Sequence, residues 1–251
     1  MKRLWGLALC LYVLVLVVCP ALARMNVATT VGGGAPAAGG DCPAAGTYDY
    51  YWNGDHSSGT TYVCYDDGAD INGTLSGASI NSGGYSGNKF DATEHNQHLY
   101  WSGTIDVNKG VIWVLFSTSD TSRTGNIYFM ETHDAVNSEF VRVYVETDDT
   151  VSAVYDGGGA SETCSSTGTI AEDGSWQWLG YSWDIANDDH AVYVNGAWED
   201  CNDEGFTVLT ATAHIFALGE KLAGSSFTET YALDNYYYIP NTYKPAVPFG
   251  L

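Results

Sequence analysis

The residues best suited to bind a cation lie in short acidic loops. The densest loop, at 184–189, contains Asp184, Asn187, Asp188 and Asp189, and further acidic clusters lie at 148–149 and 200–204. Calcium binds six to eight oxygens from carboxylates and carbonyls, so the 184–189 loop could hold Ca²⁺, although no cluster has the regular spacing of an EF-hand. The alternative is that acidic turns only keep a protein of formal charge −21 in solution.

A second group of chemically useful residues is aromatic. Aromatic side chains crowd the segments 48–52 and 236–238, and Trp198 lies near the tip of a predicted hairpin. Sugar rings stack their C–H faces on Trp and Tyr, while polar side chains orient the hydroxyls. We therefore expect glycan contacts from one subset of these residues, namely Tyr50, Trp52, Trp198 and Tyr237. Trp176 and Trp178 are expected to serve packing instead.

The amino-terminal residues have the composition of an export signal. Lys2 and Arg3 precede the apolar run Leu4–Val18, and Ala21-Leu22-Ala23 is a small-x-small cleavage site. The run has about 15 residues, whereas a membrane-spanning helix needs about 20, so a cleaved signal is favoured over an anchor. We expect residues 1–23 to be removed and the mature chain to be secreted, extracellular and without a membrane span.

Four cysteines remain after residues 1–23 are removed: Cys42, Cys64, Cys164 and Cys201. In an oxidising compartment they predict two disulfides, for which three connectivities exist. Nearest-neighbour pairing, Cys42–Cys64 and Cys164–Cys201, is favoured. A tetrahedral zinc site is the alternative, but the chain has no CxxC pair.

The charge balance excludes two classes of partner. The full chain has 9 Lys and Arg against 30 Asp and Glu, and loss of Lys2 and Arg3 shifts its charge from −21 to −23. Nucleic acids and anionic membrane surfaces are bound by clustered cations, which this composition does not supply. Cations or neutral partners remain.

The pattern of the mature chain is that of an all-β protein. Residues 24–41 are Gly- and Ala-rich and predict a flexible arm, residues 42–245 a single domain, and residues 246–251 a tail. Within the domain, 140–146 alternates with period two, 111–116 is apolar on both faces, and Asn195-Gly196 separates two short runs as a type I′ hairpin turn would. Many short strands at regular spacing predict a jelly-roll β-sandwich of two antiparallel sheets.

The order of these segments resembles the laminin G-like branch of the concanavalin A-like lectin/glucanase superfamily. Gly87–Asp91 and Gly110–Val114 are similar to two of its early strands, and Asp173–Asp184 is similar to its "Asp-Gly-x-Trp-His" strand. The hairpin Val192–Gly196 and the terminal strand Tyr231–Tyr236 follow in the family's order. The likeness covers about residues 48–240; this chain departs from it with Gln at 177 and Gly at 180, where the family usually has His and Ala.

The resemblance implies a concanavalin A-like sandwich that often carries one Ca²⁺ at its rim. Of the acidic residues, Asp184, Asp188 and Asp189 lie between two strands that the resemblance places well, so we expect any Ca²⁺ there. The glucanases of the superfamily carry Glu-x-Asp-x-x-Glu on one strand, and a retaining mechanism needs two carboxylates about 5 Å apart. That spacing does not occur in the sequence, nor do the Arg-x-Glu and Gln-x-His strands of the alginate lyases.

The sequence therefore predicts a secreted, non-catalytic recognition or adhesion domain that binds an extracellular glycan or a cell-surface protein, with Ca²⁺ as an optional cofactor. A structural subunit of an extracellular filament, sheath or adhesive layer is the alternative, because the arm could add a strand to a neighbouring sheet edge and so support self-assembly. A glycoside hydrolase or polysaccharide lyase is the least favoured alternative.

Overall fold

A computed structural model of the chain describes residue 42 and residues 48–56, 59–65, 71–94, 96–121, 123–136, 138–159, 161–201, 205–220 and 230–248. The predicted signal at 1–23 and the arm at 24–41, with the self-assembly expected of it, lie outside the described residues. Residues 249–251 of the predicted tail also lie outside them. No helix in the described part of the chain is long and apolar enough to cross a membrane.

The described residues form seventeen strands and one 3-10 turn, Ile185–Asn187. In chain order the strands are β1 (Tyr50–Trp52), β2 (Tyr62–Tyr65), β3 (Ile71–Asn72), β4 (Thr74–Ser76), β5 (Ser79–Ser82), β6 (Asn88–Ala92), β7 (His98–Thr104), β8 (Lys109–Thr118), β9 (Ile127–His133), β10 (Phe140–Val145), β11 (Thr150–Asp156), β12 (Ser161–Thr169), β13 (Gln177–Asp184), β14 (Asp189–Val194), β15 (Ala197–Cys201), β16 (Ala213–Gly219) and β17 (Tyr231–Pro240).

The strands form two antiparallel sheets. The ten-stranded sheet has the order β15-β14-β13-β8-β17-β1-β2-β3, and β6, which pairs with β5, also pairs with β17. The seven-stranded sheet has the order β12-β11-β10-β9-β16-β7-β4. The all-β sandwich of two antiparallel sheets that the sequence predicts is confirmed, with a jelly-roll-like arrangement.

The main core lies between the two sheets, and the alternation of each strand selects the side chains that enter it. On β10, Val141, Val143 and Val145 are fully buried, while Arg142 and Tyr144 face away from the core and are half-buried. Strand β8 lies in the middle of the ten-stranded sheet and is buried on both faces. The alternation of apolar and polar residues is therefore apparent in the sequence of β10, whereas β8 is apolar at successive positions and shows no alternation.

The turn between β14 and β15 is the one that the sequence predicts. Asn195 has φ 51° and Gly196 has φ 80°, so both central residues adopt the left-handed conformation that a type I′ turn requires. The turn holds Tyr193 opposite Trp198 in the ladder. This register brings two aromatic rings together at the edge of the ten-stranded sheet.

The four cysteines form the two disulfides favoured from the sequence. Cys42 is bonded to Cys64 across a separation of 22 residues, and Cys164 to Cys201 across 37. The second disulfide joins β12 to β15, which are edge strands of different sheets. Closing loops of these lengths in the unfolded chain contributes about 3 to 4 kcal/mol each in the chain-entropy treatment.

Candidate functional site

The outer face of the ten-stranded sheet carries a row of aromatic residues in register. The ladder pairs Tyr51 with Tyr237, Tyr237 with Trp113, Trp113 with Gly180, Gly180 with Tyr193, and Tyr193 with Trp198. We call these residues the aromatic row: Tyr51, Tyr237, Trp113, Tyr193 and Trp198. With Tyr48 and Trp178 they form a second apolar cluster, separate from the main core.

Gly180 explains how the rings fit together. The Trp113 ring centroid lies 4.8 Å from that of Tyr193 and 4.9 Å from that of Trp198. A Cβ at position 180 would lie 2.7 Å from Cε3 of Trp113, which is closer than side chains approach one another. Gly180 therefore leaves the space over β13 that the Trp113 ring occupies.

The carboxyl-terminal residues 243–248 lie over this face, and we call them the strap. Trp198 Nε1 donates to the Pro245 carbonyl at 3.1 Å, and the Lys244 backbone N–H donates to Ser182 Oγ at 3.1 Å. Lys244 Nζ also contacts an Asp200 carboxylate oxygen at 2.5 Å, and Val247 packs against the aromatic cluster. The strap thus contacts the Trp198 end of the aromatic row and packs Val247 against the cluster.

Beside the strap the aromatic face opens into a cleft of about 240 Å³. Its lining comprises two aromatic residues, two amides, a glycine and an aliphatic residue: Gln177, Trp178, Tyr193, Asn195, Gly196 and Val247. Trp178 is 4% exposed and Tyr193 9%, so both rings are held by packing. The cleft lies where the β14–β15 turn meets the start of β13.

The polar groups of the cleft are held in fixed positions. The Gln177 side chain donates to the Ala171 carbonyl at 2.8 Å and accepts from the Ala171 N–H at 3.1 Å. Asn195 Nδ2 donates to the Thr169 carbonyl at 2.8 Å. Within the described part of the chain the Tyr193 hydroxyl has no hydrogen bond, and burial raises the pKa of Tyr193, so it remains a neutral donor and acceptor.

The residues expected to bind a ligand divide between the two faces of the sheet. Trp198 and Tyr237 belong to the aromatic row, although Tyr237 is only 4% exposed beneath its neighbours. Tyr50 and Trp52 belong to the main core, and each is 2% exposed or less. The expectation that these two residues contact a ligand stays a prediction; the structure places both rings in the main core.

The phase of β1 determines which of its side chains enter the main core. Tyr50, Tyr51 and Trp52 alternate in, out and in, so the outward residue is the one that the sequence did not select. Inside the core, Tyr50 accepts the Thr104 N–H through its hydroxyl at 2.7 Å, and Trp52 Nε1 donates to the Thr60 carbonyl at 2.9 Å. A run of three aromatic residues gives no polar position from which to assign the faces.

Sequence reasoning also missed Gln177, Trp178, Tyr193 and Asn195 as residues of a single site. One signal was present, because Val192 and Val194 flank Tyr193 and predict that its side chain points away from the core. Cross-strand register places Tyr193 opposite Gly180 on one side and Trp198 on the other. That register follows from the fold and could not be obtained from any one segment.

The acidic loop expected to bind Ca²⁺ shows a mixed arrangement. Asp184 is 2% exposed, lies 2.5 Å from Lys109 Nζ and accepts from Asn187 Nδ2 at 2.8 Å. Burial opposes its ionisation, but the bonds from Lys109 and Asn187 hold the pKa of Asp184 below its usual value. Asp188 accepts from the Gly205 N–H at 3.2 Å, and Asp189 is exposed. Calcium binding by these three residues stays a prediction.

Closely spaced metal-ligand groups in the described residues involve the disulfides. Two such groups, Cys42 with His56 and Cys64, and Cys164 with His190 and Cys201, place their ligand atoms within 4.8 Å of one another. In each group the two sulfurs are bonded together. A disulfide sulfur is not a thiolate and does not bind zinc as one, so the structure supports the disulfide interpretation of these cysteines.

No family model matches the sequence, and no curated protein matches it with significance. Solved structures with a similar fold include the binding domain of botulinum neurotoxin serotype D, with a TM-score of 0.56 and 9% identity over 77% of this chain and 47% of that chain. Two binding domains of botulinum neurotoxin DC each give a TM-score of 0.50. One is in complex with SialylT, at 10% identity over 77% of this chain and 47% of that chain. The other is in complex with rat synaptotagmin II, at 9% identity over 76% and 47%.

These likenesses concern the fold. The chain spans about half the length of the solved structures that it matches. Identities of 9–10% are too low to transfer a binding site residue by residue. The chain is a β-sandwich that shares its architecture with these toxin binding domains.

Proposed function

We propose that this protein is a secreted, non-catalytic recognition domain that binds carbohydrate in the cleft between the β14–β15 turn and β13. The observation that carries the proposal is the composition of that cleft: the rings of Trp178 and Tyr193 stand beside the amides of Gln177 and Asn195 in a space of about 240 Å³. Aromatic rings take the C–H face of a sugar, and amides and a tyrosine hydroxyl orient its hydroxyl groups.

The rigidity of the cleft supports binding. Gln177 is held by two hydrogen bonds to Ala171, and Asn195 by one to Thr169. The Tyr193 ring packs edge-on against Trp113 and Trp198. Because these side chains are already ordered, a ligand loses less conformational entropy in binding than it would at a mobile surface.

The same residues favour recognition over catalysis. The six described residues that line the cleft include neither a carboxylate nor a histidine. Glycoside hydrolysis requires a pair of carboxylates on either side of the scissile bond. A ligand held here would meet hydrogen-bonding groups and aromatic faces but no acid or base that ionises near neutral pH.

The family resemblance and the fold neighbours point the same way. We assign the sandwich to the laminin G-like branch of the concanavalin A-like superfamily on the order of its strands. The neighbours are toxin binding domains, two of them in complex with SialylT and with rat synaptotagmin II. An export signal and two disulfides fit an extracellular site of action, where glycans and cell-surface proteins are both accessible.

The test is a saccharide panel titrated by calorimetry against the wild type and Tyr193→Phe. The substitution keeps the ring and removes a hydroxyl that makes no hydrogen bond in the described chain, so stability should not change. We expect about fivefold weaker binding of the saccharide that binds, since a neutral hydrogen bond contributes about 1 kcal/mol.

The matched control is Tyr128→Phe, which removes a hydroxyl from the outer face of the seven-stranded sheet and should leave affinity unchanged. If no saccharide binds, or if the Tyr128 variant loses affinity and the Tyr193 variant does not, the proposal fails. Titration with added Ca²⁺ and with chelator shows whether the predicted calcium site contributes to saccharide affinity.

A further inference from the structure

We infer that the cleft selects uncharged saccharides and rejects acidic ones; this inference rests on the proposed function and names its ligand class. The lining residues within the described part of the chain supply no cation: two are amides, two are aromatic, and the others are glycine and valine. The one titratable group among them, the Tyr193 hydroxyl, is held neutral by burial. A carboxylate on a ligand would have no partner charge in this lining.

No described cation is available to move into the cleft either. Each of the five Lys and Arg residues in the described part of the chain contacts a carboxylate. The pairs are Lys89 with Asp91, Lys109 with Asp184, Arg123 with Asp149 and Glu172, Arg142 with Glu131, and Lys244 with Asp200. The cation nearest the cleft along the chain, Lys244 on the strap, is therefore already neutralised by Asp200.

The surrounding charge is negative. On β15, Glu199 accepts from the Thr167 N–H at 2.6 Å and from the Gly168 N–H at 3.0 Å. Burial opposes ionisation of Glu199, but these bonds hold its pKa below the usual value, so it is charged at neutral pH. The chain as a whole has a formal charge of −21. An anionic sugar would approach against this field, and a neutral one would not.

The experiment uses three matched pairs of disaccharides. Lactose, cellobiose and mannobiose are each compared with the analogue in which the non-reducing hexose is oxidised to the uronic acid. For the neutral sugars that bind, we expect the acidic partner to bind at least tenfold more weakly at 20 mM salt. The difference should shrink at 500 mM salt, because salt screens repulsion between exposed charges.

The outcomes separate the two proposals. Equal or tighter binding of the acidic sugars would overturn the inference and leave carbohydrate binding standing. Absence of binding by all six sugars would remove the proposed function, and the inference with it. A tenfold difference that does not respond to salt would mean that shape, not charge, rejects the acids, and this too would contradict the inference.

A charge variant tests the same point within the protein. Val247→Lys places a cation on the strap at the cleft wall, with Val247→Met as the uncharged control of similar length. We expect the lysine variant to improve the ratio of acidic to neutral affinity at least fivefold, and the methionine variant to leave it unchanged. An unchanged ratio in Val247→Lys would contradict the inference even if both variants fold.

Discussion

The two sheets share one core but differ on their outer faces. On the ten-stranded sheet that face holds the aromatic row, with Trp113 fully buried among the rings of Trp178, Tyr193 and Trp198. On the seven-stranded sheet the corresponding face pairs Arg142 with Glu131 at 3.4 Å, and the rings of Tyr128 and Tyr144 lie 4.8 Å apart and half-buried. One face is an apolar layer with a cover, and the other is a polar surface.

The difference shows that the aromatic row is more than the packing of a sandwich requires. A β-sandwich needs only its inner faces to fold, so a polar outer face such as that of the seven-stranded sheet is the ordinary solution. The aromatic row buries a second apolar layer that the sandwich itself does not require. The place where its cover ends, beside Val247, is where the structure presents aromatic and amide groups together.

The largest expected effect comes from truncating one ring on each face. Trp113→Ala should lower the free energy of unfolding by about 3 to 5 kcal/mol, because a fully buried indole leaves a cavity. Tyr128→Ala should cost only about 1 kcal/mol, the scale of one half-exposed aromatic pair. Denaturant titration measures the free energy of unfolding of both variants, provided that their m-values agree with that of the wild type. Equal losses would mean that the two outer faces are not energetically distinct.

The free energy of unfolding should depend on pH through two buried carboxyl groups, one on or beside each sheet, and the two dependences should have opposite sign. Burial, with a contribution from Asp55, raises the pKa of Asp234 to about 6 against the hydrogen bonds from Ser86 and Asn235. Asp234 lies on the ten-stranded sheet opposite Leu115 of the aromatic face. Since the folded state binds the proton more tightly, this group's stabilising contribution is complete below pH 4 and is lost as the pH rises through 6. The loss is about 2 to 3 kcal/mol.

The contrasting group is Glu139, just before β10 of the seven-stranded sheet. Burial opposes its ionisation, but hydrogen bonds from Ala211 and Thr210 lower the pKa of Glu139. Its contribution is therefore present above its unfolded pKa and is lost as the pH falls. Unfolding measured from pH 3 to 8 for wild type, Asp234→Asn and Glu139→Gln should give two difference curves of opposite slope. Parallel slopes would contradict the assignment.

A smaller effect is expected at Gly180. Gly180→Ala should cost about 1 to 3 kcal/mol, because its Cβ would overlap the Trp113 ring and the buried cluster must shift. In the combined variant Gly180→Ala, Trp113→Leu, the overlap is relieved, so the two costs should be less than additive in unfolding measurements. Strict additivity would show that Gly180 is not needed to accommodate the ring.

The sequence predicted elements well where one face of a strand is polar. The alternation of β10, the Asn195-Gly196 turn and the cysteine pairing follow from local chemistry and spacing, and the structure contains all three. The faces of β1 could not be assigned from the sequence, because Tyr50, Tyr51 and Trp52 are all aromatic and the sheet is apolar on both sides. The cleft depends on register among β13, β14 and β15 and on the return of the strap, which are contacts between distant parts of the chain.

The strap also sets how the molecule would respond to a mechanical load. Strand β17 is held by ladders to β8 on one side and to β1 and β6 on the other. The strap beyond it is attached through the Lys244–Asp200 and Lys244–Ser182 contacts, the Trp198–Pro245 bond and the packing of Val247. Tension applied to the chain after β17 would peel the strap before it separated a ladder. Pulling on the chain after β17 would therefore free Trp198 from Pro245 and the aromatic cluster from Val247 while the sandwich stayed folded.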